Sequence, residues 1–297
     1  LRLLSLIALM ATATPAHSGE RVKAYYPEGP IVVGDALFYA EMHRDRVMAW
    51  RGDEREVFYR SAGCGPTAVA PYGEGFVVLC HLTNELHMVS QAGRLLKRIG
   101  EDGEGRAFNR PNDATADGAG GVYFSASGLF SPGAKATGAV NHVNAQGEAR
   151  RLVTGLHYAN GVHYDEARKL LFVSEHLGRR ILSYRVIAPG RVGGPAVFAN
   201  WANALADERG NLALAGPDGL ETDKSGNLYA AFYGVGAVLV FAPDGALIER
   251  IGVPEKLVTN LTLSADERFI FVTGSKDGRR KPYPGAVRKL SNPIHED

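Results

Sequence analysis

Short alternations of apolar and polar residues, cut by turns bearing glycine and aspartate, run along most of the chain. Four segments share one layout: RPNDATADGAGGVYFS (110–125), YANGVHYDEARKLLFVS (158–174), GPDGLETDKSGNLYAAF (216–232) and VTNLTLSADERFIFVT (258–273). Each has Asn or Asp as its third residue, alternates, passes an Asp-containing polar turn and enters a β-rich run. Alternation of period two is the signature of half-buried strands. Two further segments, EGPIVVGDALFYAE (28–41) and GPTAVAPYGEGFVVLC (65–80), follow the same grammar. The aligned first positions are Glu28, Gly65, Asn112, Asn160, Asp218 and Asn260, separated by 37, 47, 48, 58 and 42 residues. Such a spacing holds four short strands per unit, as in RRILSYRV (179–186) or GAVLVFAPDGALIERI (236–251), the latter folded at Pro243-Asp244-Gly245.

Helical periodicity is confined to WANALADERGN (201–211), read as an insertion. Six four-stranded units predict an all-β fold, a six-bladed β-propeller of antiparallel blades. A β-sandwich is the competing architecture, but it leaves the period near 45 residues unexplained. ERVKAYY (20–26) is expected to pair with the sheet formed after Asn260, so that the two ends of the ring join and no edge stays open.

In a propeller the innermost strands converge at one mouth of a central channel. Five of the six aligned positions carry a side-chain oxygen there: the acids Glu28 and Asp218, and the amides Asn112, Asn160 and Asn260. An oxygen-only set suits one hard divalent cation, Ca²⁺ first, then Mg²⁺ or Mn²⁺, with Zn²⁺ less favoured. The competing view is that Asn-Gly and Asp-Gly are turn formers, and any single pair fits that view better. Two acids in one channel mouth shift the balance, because their burial is costly without a cation.

Composition adds an address. Leu3 to Met10 is an apolar run after Arg2, and Ala16-His17-Ser18 fits a small-x-small cleavage site, so 1–18 reads as an export signal and 19–297 as a single domain. The run is too short to span a bilayer. The expected location is the periplasm or the medium. In that compartment Cys64 and Cys80, on either side of the turn at Pro71–Gly75, can bridge; two buried free thiols are the alternative. The formal net charge of +1 gives no reason to expect a nucleic-acid or membrane partner. The chain is read as a monomer acting on a small molecule.

EGP near the start, RPND, NGV before a strand ending FVSE, and PDGLETDKSGNLYAAFYGVGAVLVFAPDG together resemble the SMP-30/gluconolactonase (regucalcin-like) family across roughly residues 25–275. The resemblance implies a six-bladed propeller with one divalent metal that hydrolyses sugar lactones, other esters or organophosphates. It implies Glu28, Asn160 and Asp218 as metal ligands, Asn112 as a residue that binds the metal through water or sits beside the substrate, and Arg110 as the substrate-binding arginine. The stretch SASGLFSPGAKATG (125–138) departs from the family, having no acid where members hold the sugar with one.

Asp218 is the expected general base. The second strands return to the same mouth with His43, His81, Ser127, His176, Tyr233 and Ser275. His176 and Tyr233 are assigned to substrate, with Arg110 and Asn112; Tyr72, Phe130 and Tyr233 are expected to form apolar walls. No nucleophile elbow, phosphate loop or HExxH metal motif occurs. The leading expectation is a metal-dependent lactonase or esterase. Its rivals are a non-catalytic propeller that binds a small molecule or protein, and a metal hydrolase of the same fold with a non-sugar substrate.

Overall fold

The computed structural model describes residues 19–200 and 212–295, so the expected export signal and the candidate helix at 201–211 lie outside the described residues. Strands β1 (Arg21–Tyr25) to β24 (Pro284–Ser291) make the fold all-β, and the one helical turn among the described residues is Met42–Arg44. Four sheets each hold four antiparallel strands. They start with β2 (Pro27–Val33), β6 (Pro66–Tyr72), β10 (Pro111–Ala116) and β14 (Ala159–Asp165). A fifth sheet has eight strands. It contains β18 (Gly216–Thr222) to β21 (Leu247–Gly252), then β22 (Leu257–Leu263) to β24 with β1. Its two halves meet at one pair, Tyr233 with Leu257. The architecture is consistent with a β-propeller.

The strands that open the units touch in the order β2, β6, β10, β14, β18, β22, and β22 touches β2 again. The second strands are apolar nearly throughout, with runs such as ALFYA (36–40) and FVVLC (76–80) buried along their length, so a sheet offers apolar residues on both faces and packs against a neighbour on each side. Phe38, Val69 and Val78 fill one such interface, Phe124 and Leu79 the next, and Tyr184 and Val140 a third. Phe172 with Leu239, then Val238 with Val272, continue the series. Val22, Leu37, Trp50 and Val287 bring it back to the first sheet. β1 pairs with β24 in the register Val22 to Val287, so the amino-terminal segment completes the last sheet as expected.

Cys64 and Cys80 form a disulfide. The hairpin register differs from the simple expectation. Tyr72 faces Gly75 and a bulge follows Pro66, so Pro66, not Cys64, is the cross-strand partner of Cys80. Cys64 reaches its partner from the turn before β6, where its amide donates to the Ser61 carbonyl.

Candidate metal and substrate site

All six opening strands are irregular at the same place. The register shifts fall between Glu28 and Ile31, Pro66 and Ala68, Pro111 and Ala114, Ala159 and Val162, Pro217 and Leu220, and Val258 and Asn260. A bulge adds a residue on one strand and re-aims the side chains around it. Here it lies at each residue of the predicted ring or directly beside it. Glu28, Asn112, Asn160, Asp218 and Asn260 are all buried at these bulges.

Asn160-Gly161 and Asp218-Gly219 are therefore strand residues, not turns. The glycines are there for close approach: a Cβ on Gly161 would overlap the Asp218 carbonyl, and one on Gly219 would overlap the Asn260 side chain. Removing the Cβ lets neighbouring opening strands come together around a narrow channel. Gly219→Ala is expected to cost about 2 kcal/mol of stability, because the opening strands must move apart to admit a methyl group. Urea unfolding checks this; an unchanged midpoint would show that the packing is looser than described.

The electrostatics single out the acids. Burial, then the Asp113 charge, pushes Glu28 well above the usual carboxylate range. Burial, then the charges of Glu28 and Asp113, does the same to Asp218, against a hydrogen bond from Asn160. Burial pushes Asp113 up to about 7, although the Val162 and Ala114 amides donate to it. No Lys or Arg pairs with any of the three among the described residues. Buried carboxylates that repel one another without a protein counter-charge, set among amide oxygens, fit a hard divalent cation.

Asp113 was missed from the sequence, where Asn112 alone took the repeat position. Neighbours in a regular strand face opposite ways, but the bulge between Pro111 and Ala114 brings both to the channel. Asn260 has other partners at the repeat position: its Oδ1 accepts from the Leu261 amide at 2.7 Å, and its amide hydrogen-bonds Asp113.

Asn160 is held by His176. The two side chains meet at 3.2 Å between Nδ2 and Nδ1, while His176 Nε2 lies 3.0 Å from the Leu214 carbonyl. Burial holds His176 down to about 4, so the ring is neutral at pH 7. Its Nε2–H donates to Leu214 and its bare Nδ1 accepts the Asn160 amide, which leaves Asn160 Oδ1 free to act as a ligand. His176 thus acts on the site through Asn160. Ser174 Oγ fixes the Asp218 backbone, donating to its carbonyl at 2.7 Å.

Arg110 has a positive φ of 59° and its amide is anchored to Asn84 Oδ1. Its charge acts on both His81 and Tyr158, which puts the guanidinium at the mouth. His81 donates from Nδ1 to the Pro111 carbonyl at 3.1 Å, and burial lowers it to about 4. The folded protein therefore refuses a proton that the unfolded chain takes near 6.5. The contribution is full above pH 6.5 and is lost as pH falls towards 4, by about 3 kcal/mol. Denaturant titrations from pH 7 to 4.5 are expected to show a steeper loss for the wild type than for His81→Gln; parallel curves would contradict the buried neutral state.

Aromatic rings wall the mouth. Phe130 lies 4.7 Å from Tyr158, 5.3 Å from His176 and 5.9 Å from Tyr233 between ring centres. The Tyr233 and Tyr26 hydroxyls are 3.4 Å apart. Tyr72 is not in this wall. It lies at the far end of β6, its hydroxyl donating to the Asn144 carbonyl. His43 stacks on Tyr283, and the Ser275 hydroxyl faces the carbonyls of Asp277 and Pro284. Tyr26, which precedes β2, carried no repeat signal and was missed. The opposite end of the channel opens into a cavity of about 680 Å³ lined by Asp113, His163 and Glu221 among others.

A propeller-like ring of sheets with a polar channel mouth of this kind defines a broad class of binding and hydrolytic proteins. Residues 26–276 match the family described as SMP-30/Gluconolactonase/LRE-like region, and the chain belongs to that family. It is 26% identical over 278 residues to a gluconolactonase of Zymomonas mobilis, covering 84% of this chain and 76% of the relative. It is 24% identical over 206 residues to a 6-deoxy-6-sulfogluconolactonase of Pseudomonas putida, covering 69% and 67%. Its fold is similar to that of a calcium-binding protein, regucalcin, from Agrobacterium tumefaciens, with a TM-score of 0.76 at 18% identity over 95% of this chain and 97% of that one.

Proposed function

We propose that the chain is a six-bladed β-propeller hydrolase that opens a lactone or related small ester with one divalent cation. The six opening strands, the six interfaces and the family support the architecture. The observation that carries the chemistry is the burial of Glu28 and Asp218 at one mouth with no protein cation among the described residues to offset them. Glu28, Asn160 and Asp218 hold the cation, with Asn112 beside it; the oxygen donor set favours calcium, then magnesium or manganese, and admits zinc. Bound there, a divalent cation supplies Lewis acidity towards the lactone carbonyl and towards a water.

The chain's own residues do the rest. Asp218 accepts a proton from the attacking water and returns it to the ring oxygen as the C–O bond breaks. Arg110 orients the substrate from the rim, and Asn112 contacts it inside. His176 keeps the Asn160 amide turned so that its oxygen stays available. Tyr158 and Tyr233 keep neutral hydroxyls beside the acids, since burial raises both. The chain is exported in the same reading, supported by the apolar run after Arg2 and by the Cys64–Cys80 bridge.

A panel of sugar lactones, other lactones, aryl esters and a phosphotriester, run at saturating cation, tests the proposal. Lactones are expected to be turned over best. Preferential turnover of the phosphotriester would contradict the substrate class, and binding without any turnover would leave a non-catalytic propeller.

A further inference from the structure

We infer that the site selects a lactone with an aromatic or unsaturated body and an anionic tail, rather than a neutral sugar lactone; this rests on the hydrolase reading above. A cavity of about 560 Å³ opens at the mouth, and Tyr26, Phe130 and Tyr233 line it together with Lys256, Lys276 and Arg279. It leads out of the metal site: the Tyr26 and Tyr233 hydroxyls sense the charge of Glu28, and Tyr233 that of Asp218. Its inner part is therefore aromatic and its outer part cationic.

The inner wall is poor in sugar-recognising groups. Tyr26 turns its hydroxyl proton towards the Tyr233 oxygen, so Tyr233 keeps the one phenol donor of this pair, and Phe130 sets its ring against Tyr158, His176 and Tyr233. The loop behind it, 127–137, has no carboxylate or amide side chain to grip vicinal hydroxyls, and it leaves Leu129 exposed. Flat unsaturated rings are bound by edge and face contacts of this kind.

The outer part recognises charge. Lys256, Lys276 and Arg279 pair with no carboxylate among the described residues. Asp277 is the acid among them, but its Oδ1 accepts the Arg279 and Arg280 amides and its Oδ2 lies 3.9 Å from Arg280 Nε. Three cations at one mouth of a chain whose formal net charge is +1 are a local concentration, not an overall bias. A carboxylate, sulfonate or phosphate on the ring's far side would meet them while the lactone carbonyl faces Asp218. In the reaction the water oxygen joins the carbonyl carbon and the ring C–O bond breaks. One water proton goes to the alkoxide, the other leaves with the new carboxyl group, and the tail does not react.

The test compares dihydrocoumarin with a ring-carboxylated dihydrocoumarin and with glucono-1,5-lactone, on cation-loaded protein at low salt. The carboxylated lactone is expected to exceed the neutral one in kcat/KM by about tenfold, narrowing as salt rises. In the combined variant K256E, K276E, R279E the ratio is expected to fall below one, and in K256R, K276R, R279K to persist. Equal rates on the two lactones, faster opening of glucono-1,5-lactone, or a preference that survives charge reversal would overturn the inference and leave the hydrolase reading standing. If no lactone is opened, the hydrolase reading fails, and calorimetry decides the vestibule. Binding of the carboxylated compound that charge reversal abolishes supports the vestibule; no binding overturns it.

Discussion

Asp218→Asn is expected to lower kcat/KM for lactone opening by at least about a thousandfold while the protein still folds. The substitution keeps shape and removes one charge. That charge does two jobs in this account: it holds the cation and takes the water proton. In the metal-free protein the same charge is a burden, because burial and the neighbouring Glu28 and Asp113 charges already push Asp218 far upward. The variant is thus expected to be at least as stable as the wild type in the presence of a chelator. It should also gain little from added calcium. This three-way pattern separates a lost functional group from a damaged fold, which would lower all three measurements. A variant that keeps its activity would remove Asp218 from the chemistry.

Chelation is expected to reverse the pH dependence of stability. Without a cation, folded Asp113 titrates at about 7 and Glu28 and Asp218 are raised as well. In the unfolded chain all three lose their protons near 4. Between those values the folded state holds more protons, so stability falls as pH rises, by about 4 kcal/mol for a shift the size of that at Asp113. The buried His81 works in the opposite direction, but its share is complete by pH 6.5. A cation needs the deprotonated carboxylates, so it binds more tightly as pH rises and releases protons. At a hundred times its dissociation constant it adds about 2.7 kcal/mol, a rise in Tm of about 5–10 °C for a chain of this size. Thermal melts from pH 5 to 8, with chelator and with calcium, should therefore diverge as pH rises. Curves that stay parallel would mean that no cation is linked to these acids.

The repeat was legible because strand alternation and turn chemistry are local, and because each unit must present the same edge to the channel. Pairing of ERVKAYY with the last sheet followed from the need to close an edge. The placement of the candidate site residues was legible as far as one residue per unit: Glu28, Asn112, Asn160 and Asp218 are all buried at the bulges of the opening strands. What escaped was set by departures from strand regularity. Asp113 reaches the channel only because a bulge brings two consecutive residues to the same edge. Asn260 keeps the repeat position but gives its oxygen to the next amide. Tyr72 is an aromatic of the expected kind, but it sits at the end of β6 away from the mouth. Phe130 and Tyr233 of the vestibule were legible, but Tyr26 and the three basic residues lie on or next to connections between strands, where no repeat constrains the sequence and packing decides what meets.

The most direct test of the account is the rate of acid release from a lactone by chelated protein as a divalent cation is titrated in. No enzymatic rate is expected without the cation, then a saturable rise that ends at one cation per chain and is absent in Asp218→Asn. A rate that persists through chelation, or a cation that binds at this mouth yet supports no turnover of any lactone, would contradict it.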